Sequence, residues 1–145
     1  MPTLSEVLTN EAKKSQVIKD CCELIDAEVK DKSGISGLAI KAGFSAVKGI
    51  KPGFVEHAVE DLLPEFARVL DPLFQDAKGA SRTAHEHFSA HSGKVADALL
   101  QITDAKATRA KNTIAKGAYE KLRGTAKKNV EAAAPRLGKM IDKYT

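Results

Sequence analysis

Apolar residues recur at intervals of three and four along most of this chain, and this period constrains its fold more than any other feature. One stripe comprises Val17, Ile18, Cys21, Cys22, Ile25 and Val29, and a later one comprises Ala84, Phe88, His91, Val95, Leu99 and Ile102. Residues with this spacing share one face of an α-helix. Runs of β-branched residues, which are typical of strands, do not occur. The sequence therefore predicts an all-α protein.

The size and composition of the chain favour a single domain over residues 1–145. A chain of 145 residues can bury one core, and its content of 43% hydrophobic and 29% charged residues is that of a globular protein. Aromatic residues make up only 5% of the chain, and Trp is absent. Because the core must then consist of Leu, Ile, Val and Ala, we expect a compact bundle of about six closely packed helices.

The segment 35–49 is rich in glycine, alanine and larger apolar residues. Its polar stripe consists only of Lys41, Ser45 and Lys48. A helix of this composition is usually nearly surrounded by other helices, so we expect it at the centre of the bundle, with Phe44 in the core. Glycine lowers helix propensity, a cost that makes sense where another helix must approach closely.

Three prolines interrupt segments that otherwise have helical spacing: Pro64, Pro72 and Pro135. Because proline lacks a backbone N–H group, each predicts a kink or a restart of its helix. Kinked helices around a segment rich in small residues can leave a pocket for an apolar ligand. They can equally form a tight bundle, which is the arrangement that we favour.

Two parts of the chain, about 15–77 and 92–143, share features in the same order. The matched segments are Leu24–Ala27 with Ile102–Ala105, Ile40–Gly49 with Ile114–Gly124, and Val59–Pro64 with Val130–Pro135. Two explanations remain open. The chain consists of two similar three-helix halves that arose by duplication, or alanine-rich amphipathic helices simply resemble one another.

Several of these segments resemble a family of short, uncharacterised bacterial helical proteins. The segments are Asp26–Val29, Lys32–Phe44 and Val130–Gly138, and the resemblance extends over nearly the whole chain. It implies an all-helical fold and a bacterial cytosol. It implies no activity, cofactor or functional residue.

The sequence also favours a cytoplasmic location. Its first six residues lack the basic and apolar regions of a secretory signal, and no apolar run approaches the length that spans a bilayer. The adjacent Cys21 and Cys22 point to different faces of the predicted helix, so a bridge between them would be strained. We expect both thiols to be reduced packing residues.

Candidates for catalysis or metal binding are few. His87 and His91 are four residues apart and could share a metal on one helical face, but the metalloprotease motif is absent and no third ligand has an obvious spacing. No Ser or Cys has the neighbours of an activated nucleophile. The segment 33–37 lacks the Lys-Ser/Thr ending of a phosphate-binding loop. We expect no enzyme, no cofactor and no metal.

The strongest charge signal is a basic run near the C-terminus. Residues 1–72 carry 9 basic and 12 acidic side chains, and residues 73–145 carry 14 and 7. The run has a single acid, Glu120, and eight basic residues: Lys106, Arg109, Lys111, Lys116, Lys121, Arg123, Lys127 and Lys128. We expect a solvated face balanced by the acidic half. The alternatives are contact with a nucleic acid, with anionic lipid or with an acidic protein partner, and these residues are the candidates for such contact.

Composition and motifs together predict a non-enzymatic helical binding or interaction protein, with a protein partner or self-association favoured. One alternative is a carrier of a lipid or another apolar small molecule. The other is an electrostatic nucleic-acid binder that uses 106–128, which the shortage of aromatic stacking residues disfavours.

Overall fold

The computed structural model describes residues 3–145, except for the side chain of Ser36. The helices are α1 (Leu4–Leu8), α2 (Lys14–Asp31), α3 (Gly34–Lys48), α4 (Phe54–Gly79), α5 (Ala84–Ala90), α6 (Ser92–Thr108) and α7 (Thr113–Tyr144). No strand occurs within residues 3–145, so the all-α prediction is confirmed. None of the helices in this range is long and apolar enough to cross a membrane. Met1 and Pro2, part of the segment in which no signal was expected, lie outside the described residues.

The helices differ from the predicted ones in two places. The apolar stripe from Ala84 to Ile102, predicted to lie on one helix, is divided at His91 into α5 and α6. The matched segments Ile114–Gly124 and Val130–Pro135 both lie in α7, which has 32 residues. Gly124 therefore does not end a helix. The three prolines also lie inside uninterrupted helices, Pro64 and Pro72 in α4 and Pro135 in α7, so the restarts that were one predicted outcome do not occur.

Two short helices, α1 and α5, begin in the same way. Each starts with a capping box, in which Thr3 pairs with Glu6 and Thr83 with Glu86. In both, the threonine hydroxyl accepts a bond from the backbone N–H of the glutamate, and the glutamate carboxylate accepts one from the backbone N–H of the threonine.

A carboxylate on a long helix anchors the start of each short helix. Asp71 of α4 accepts a hydrogen bond from the backbone N–H of Leu4 at 2.8 Å. Asp142 of α7 accepts bonds from the N–H groups of Ala84 at 2.8 Å and His85 at 3.0 Å. The first N–H groups of a helix have no partner within it and carry partial positive charge, so a carboxylate there both satisfies and stabilises them.

The hydrophobic core lies at one end of the bundle, which we call the core end: α1, residues 17–24 of α2, residues 63–77 of α4, α5, residues 95–100 of α6 and residues 134–144 of α7. Its largest fully buried side chains are Phe88, Leu4, Leu70, Ile141, Val17 and Val95. At Gly138 of α7 the α5 backbone comes so close that a Cβ atom there would lie 2.6 Å from the Cα of His85. The docking of α5 therefore requires glycine at this position.

The other end, the groove end, consists of α3, residues 54–62 of α4, residues 103–108 of α6 and residues 113–125 of α7. Here the structure corrects the expected position of the segment 35–49. As α3, it lies at the edge of the bundle and packs mainly against α7. Ile35 is 90% exposed, Leu38 is 70% exposed, and Phe44 is only half-buried. Composition indicated an apolar helix correctly, but α3 packs on one side only.

Candidate functional site

An apolar groove lies between α3, α4, α6 and α7 at the groove end. Its volume is about 410 Å³, within the range of roughly 300–1,000 Å³ that is usual for small-molecule sites. The lining residues are Val29, Ile40, Gly43, Phe44, Val47, Phe54, Ala58, Leu62, Thr103, Lys106, Ala107, Ala110, Ala115, Lys116, Ala118, Tyr119 and Leu122. A tight bundle was expected, but the helices leave this space between them at the groove end.

Small residues open this groove. α3 and α7 meet where Gly43 faces Leu122, and a Cβ atom at Gly43 would lie 3.0 Å from the Cδ1 atom of Leu122. Alanines line the facing surfaces of α4, α6 and α7, at Ala58, Ala107 and Ala115 among others. Helices with such short side chains come close where they touch and leave space where they diverge, since little extends into the gap.

The charged residues among those that line the groove, Lys106 and Lys116, are both basic. Lys106 Nζ lies 3.3 Å from Oε2 of Glu65, but this buried oxygen accepts no hydrogen bond from the described residues, so the contact holds the lysine only by charge. Lys116 is half-buried and has no ion-pair partner within residues 3–145. The groove thus has an apolar lining with positive charge and no negative charge.

The polar groups next to the groove form hydrogen bonds with one another. Asp104 accepts two bonds from Arg123, at 2.8 and 3.0 Å, and a third from the Tyr119 hydroxyl, which also lies 2.7 Å from Thr103 Oγ1. The bonds from Arg123, and then that from Tyr119, lower the pKa of Asp104. Burial, and then the bond to Asp104, raise the pKa of Tyr119. Tyr119 therefore stays neutral and presents its ring to the groove.

A cluster of the same kind is formed by residues of α2 and α3. Lys48 Nζ is 3.3 Å from Oδ1 of Asp26 and 5.0 Å from the centre of the Phe44 ring. In the sequence match described above, these three residues correspond to Arg123, Asp104 and Tyr119. The groove is lined by matched pairs as well: Phe44 with Tyr119, Val47 with Leu122, and Gly43 with Ala118.

The eight basic candidates do not form one continuous site. Lys106 lies on α6, Arg109 and Lys111 lie in the following connection, and Lys116, Lys121, Arg123, Lys127 and Lys128 lie on α7. Three of them form ion pairs: Lys106 with Glu65, Arg123 with Asp104, and Lys127 with Asp97 at 3.1 Å. Only Glu65 belongs to residues 1–72, so the expected balance with the acidic half accounts for one of these pairs.

The two histidine candidates lie at the core end, away from the groove. His87 is buried on α5, and its ring centre is 4.4 Å from that of His91. Burial lowers the pKa of His87, and the neighbouring His91 lowers it further. No cluster of three or more His, Cys, Asp or Glu side chains that could hold a metal occurs in the described part of the chain.

The two cysteines are free thiols on α2. Cys21 packs with its Sγ atom 3.7 Å from the Sδ atom of Met140. Burial is the main cause that raises the pKa of Cys21 to about 12, and it also raises the pKa of Cys22. Because the thiolate is the reactive form, these thiols are poor nucleophiles at neutral pH.

Sequence reasoning identified Lys106 and Lys116 but not the groove that they border. The groove depends on where α3 crosses α7, which periodicity does not specify. One available signal was the match between the two segments, since it pairs Phe44 with Tyr119, and the structure places both in the lining of the groove.

The chain belongs to the Family of unknown function (DUF6918), which matches residues 4–145. This agrees with the resemblance to an uncharacterised helical family. Neither a curated protein nor a solved structure matches the chain.

Proposed function

We propose that this protein is a non-enzymatic binding protein that holds an apolar small molecule with an anionic end in the groove between α3, α4, α6 and α7. The observation that carries the proposal is the lining itself. It is apolar over almost its whole surface, and its only charged residues are Lys106 and Lys116. Burial of apolar surface supplies affinity, at roughly 25 cal/mol per Å², and a cation at the rim selects the end of the ligand.

The chemistry of the lining supports binding rather than catalysis. Its polar side chains are those of Thr103, Tyr119 and the two lysines, and it has no His, Cys, Ser, Asp or Glu. The Tyr119 hydroxyl is already hydrogen-bonded to Asp104 and Thr103. General acid–base or nucleophilic catalysis needs a titratable or activated group that reaches the reacting atom, and none of these side chains is arranged for that role.

This proposal favours a carrier of an apolar small molecule, whereas the sequence favoured a protein that binds a protein partner. A protein partner would need a broad apolar surface, whereas the groove has a volume usual for small-molecule sites and includes two lysines in its lining. The groove has aromatic rings at Phe44, Phe54 and Tyr119, but they face the interior of the groove, so they do not form a surface platform for nucleic-acid bases.

We also infer that the chain arose by duplication, with the groove at the junction of the two halves. Three sets of matched contacts support this: the capping boxes at Thr3 and Thr83, the anchors at Asp71 and Asp142, and the ion pairs at Asp26 and Asp104. In this proposal α7 corresponds to α3 and α4 joined into one helix. A bacterial origin and a cytoplasmic location are part of the same proposal, supported by the family resemblance and the two free thiols.

The test uses palmitate as the probe, because it has an apolar chain and one carboxylate. We expect the purified protein to bind one palmitate, detected by native mass spectrometry and by displacement of an anionic fluorescent dye. Ala107→Phe places a ring in the groove and should abolish binding. Ala105→Phe is the matched control, since Ala105 is exposed on the same helix and does not line the groove.

The charge is tested separately. Lys116→Gln should weaken palmitate binding by up to about fivefold, the size expected for a partly exposed ion pair, and should leave binding of hexadecanol unchanged. Lys111→Gln, which removes a charge outside the groove, is the control. Palmitate binding that survives Ala107→Phe, or no binding of any single-chain amphiphile, would show that the groove is not the ligand site.

A further inference from the structure

A second hollow lies on the other side of the contact between α3 and α7. Its volume is about 520 Å³, and it shares Gly43, Ala118 and Leu122 with the groove. The side that faces outward is lined by Ala39, Ala42 and Ala46 of α3 and by Ile114, Gly117 and Lys121 of α7. Apart from the three shared residues, its lining differs from that of the proposed ligand site.

Exposed aliphatic side chains surround this hollow. Ile35 is 90% exposed, Leu38 is 70% exposed and Ile114 is 54% exposed, and these are the exposed large hydrophobic residues of the described chain. Ile35 and Leu38 lie on the same outward face of α3 as Ala39 and Ala42, because residues three and four apart share a helix face. Exposed large side chains grouped in this way mark an interaction surface.

The charged residues that line the hollow or belong to α3 are all lysines. Helix α3 contains Lys41 and Lys48 and no acidic residue. On α7, Lys121 lines the hollow, and Lys128 lies two helical turns further along the same face. Lys41, Lys121 and Lys128 have no ion-pair partner in the part of the chain described. Glu120, the single acid of the basic run, lines a different depression, beside Asp104 and Arg123.

We propose that the outer face of α3 and the first half of α7 docks on the surface of an anionic lipid bilayer. Ile35, Leu38 and Ile114 enter the boundary between head groups and acyl chains, while Lys41, Lys121 and Lys128 contact the anionic head groups. An amphipathic surface with aliphatic side chains beside lysines binds such membranes through buried apolar area and charge together.

Other occupants fit this surface less well. A second copy of the same face would bring lysine against lysine, which costs energy without a compensating acid. A nucleic acid would leave Ile35 and Leu38 in contact with water or phosphate, and the face has no aromatic side chain for stacking. The anionic bilayer is the occupant that uses both the apolar and the basic residues.

The test is sedimentation of the full chain with lipid vesicles. We expect binding to vesicles of phosphatidylcholine mixed with phosphatidylglycerol, little binding to vesicles of phosphatidylcholine alone, and weaker binding as salt increases. The double variant Ile35→Ser/Leu38→Ser should weaken binding at least about tenfold, since two aliphatic side chains no longer enter the lipid. Lys41→Gln/Lys121→Gln should weaken binding about fivefold for each charge removed.

Matched controls separate this proposal from the groove. Lys19→Gln/Lys30→Gln makes the same change of charge on exposed positions of α2 and should bind vesicles as the wild type does. Ala107→Phe, which fills the groove, should also leave vesicle binding unchanged. Circular dichroism of each variant checks that the helices are retained.

Several results would overturn the proposal. One is equal binding to neutral and anionic vesicles, and another is binding that the Ile35/Leu38 variant retains. A third is the absence of any vesicle binding. A dimer or an RNA complex that the same substitutions disrupt would assign the face to a different occupant. Each of these results leaves the palmitate experiment unaffected.

Discussion

The core end and the groove end of this bundle use the same two long helices in opposite ways. At the core end, α4 and α7 receive α1 and α5, and large side chains such as Leu4 and Phe88 are fully buried between them. At the groove end, the same helices meet α3 through glycines and alanines, and the space between them is not filled. The difference indicates that stability is concentrated at one end and leaves the other free for binding.

The polar contacts differ between the ends in the same sense. At the core end, Asp71 and Asp142 hold backbone N–H groups that have no other partner. At the groove end, ion pairs such as Lys48 with Asp26 join side chains that are each 55% exposed. A bond that satisfies a helix terminus is worth more than an exposed ion pair, so charge contributes more to stability at the core end.

The largest effect is expected from a phenylalanine at each end. Phe88→Ala removes a fully buried ring at the core end and should lower the free energy of unfolding by about 3–5 kcal/mol. The sequence predicted Phe44 to lie in the core, where the same cost would apply. Because Phe44 is half-buried in the groove wall, Phe44→Ala should cost less than half as much. Urea denaturation of both variants measures the difference, and equal losses would show that the two ends are equally packed.

Two glycines in α7 should give the next largest effect on stability. Substitution by alanine should destabilise the protein at the core end and stabilise it at the groove end. Gly138→Ala brings a Cβ atom to 2.6 Å from the Cα of His85, so α5 must move, at a cost of about 1–3 kcal/mol. A Cβ atom at Gly124 meets nothing within 4 Å, so Gly124→Ala should stabilise the helix by up to about 1 kcal/mol. A loss of stability in both variants, measured by thermal unfolding, would contradict the contrast.

The comparison also shows what the sequence could predict. Helical periods placed α2 well, because its long apolar stripe lies within one helix, but they did not show the break at His91 between α5 and α6. The same reasoning placed α3 at the centre and Phe44 in the core, since a period gives the apolar face but not the number of neighbours that cover it. The groove was beyond reach, because it depends on the contact of Gly43 with Leu122, two residues that are 79 positions apart in the sequence.

Carboxylates at the two ends provide a smaller effect. Asp142→Ala leaves the first N–H groups of α5 without their acceptor and should cost about 1–2 kcal/mol. Asp26→Ala removes an exposed ion pair with Lys48 and should cost well under 1 kcal/mol. Denaturation at low and high salt separates the two. If Asp26→Ala proves the more harmful, the exposed ion pairs contribute more than their exposure suggests.

The smallest effect is a dependence of stability on pH, which we expect from His87 at the core end. Burial lowers the pKa of His87 below its ordinary value of 6.5. Above pH 6.5 the side chain is neutral in both the folded and the unfolded chain, so stability should not depend on this group. As the pH falls below 6.5, the unfolded chain takes up the proton first, and the free energy of unfolding should decrease.

The carboxyls of Asp20 and Asp104 also have lowered pKa values. They act only near and below their ordinary value of 3.8, so the window between about pH 6 and pH 4.5 isolates the histidine.

His87→Met tests this assignment, because methionine fills the same buried space without titrating. It also removes the Nδ1 atom, which has no hydrogen-bond partner among the residues that the structure describes. We expect the decrease in stability between pH 7.5 and pH 5 to become smaller in this variant, while His57→Gln, at an exposed position of the groove end, keeps the full decrease. Urea denaturation at the two pH values measures both. An unchanged decrease in His87→Met would move the acid sensitivity to another group. A decrease lost in His57→Gln instead would place it at the groove end, against the view that buried interactions at the core end determine stability.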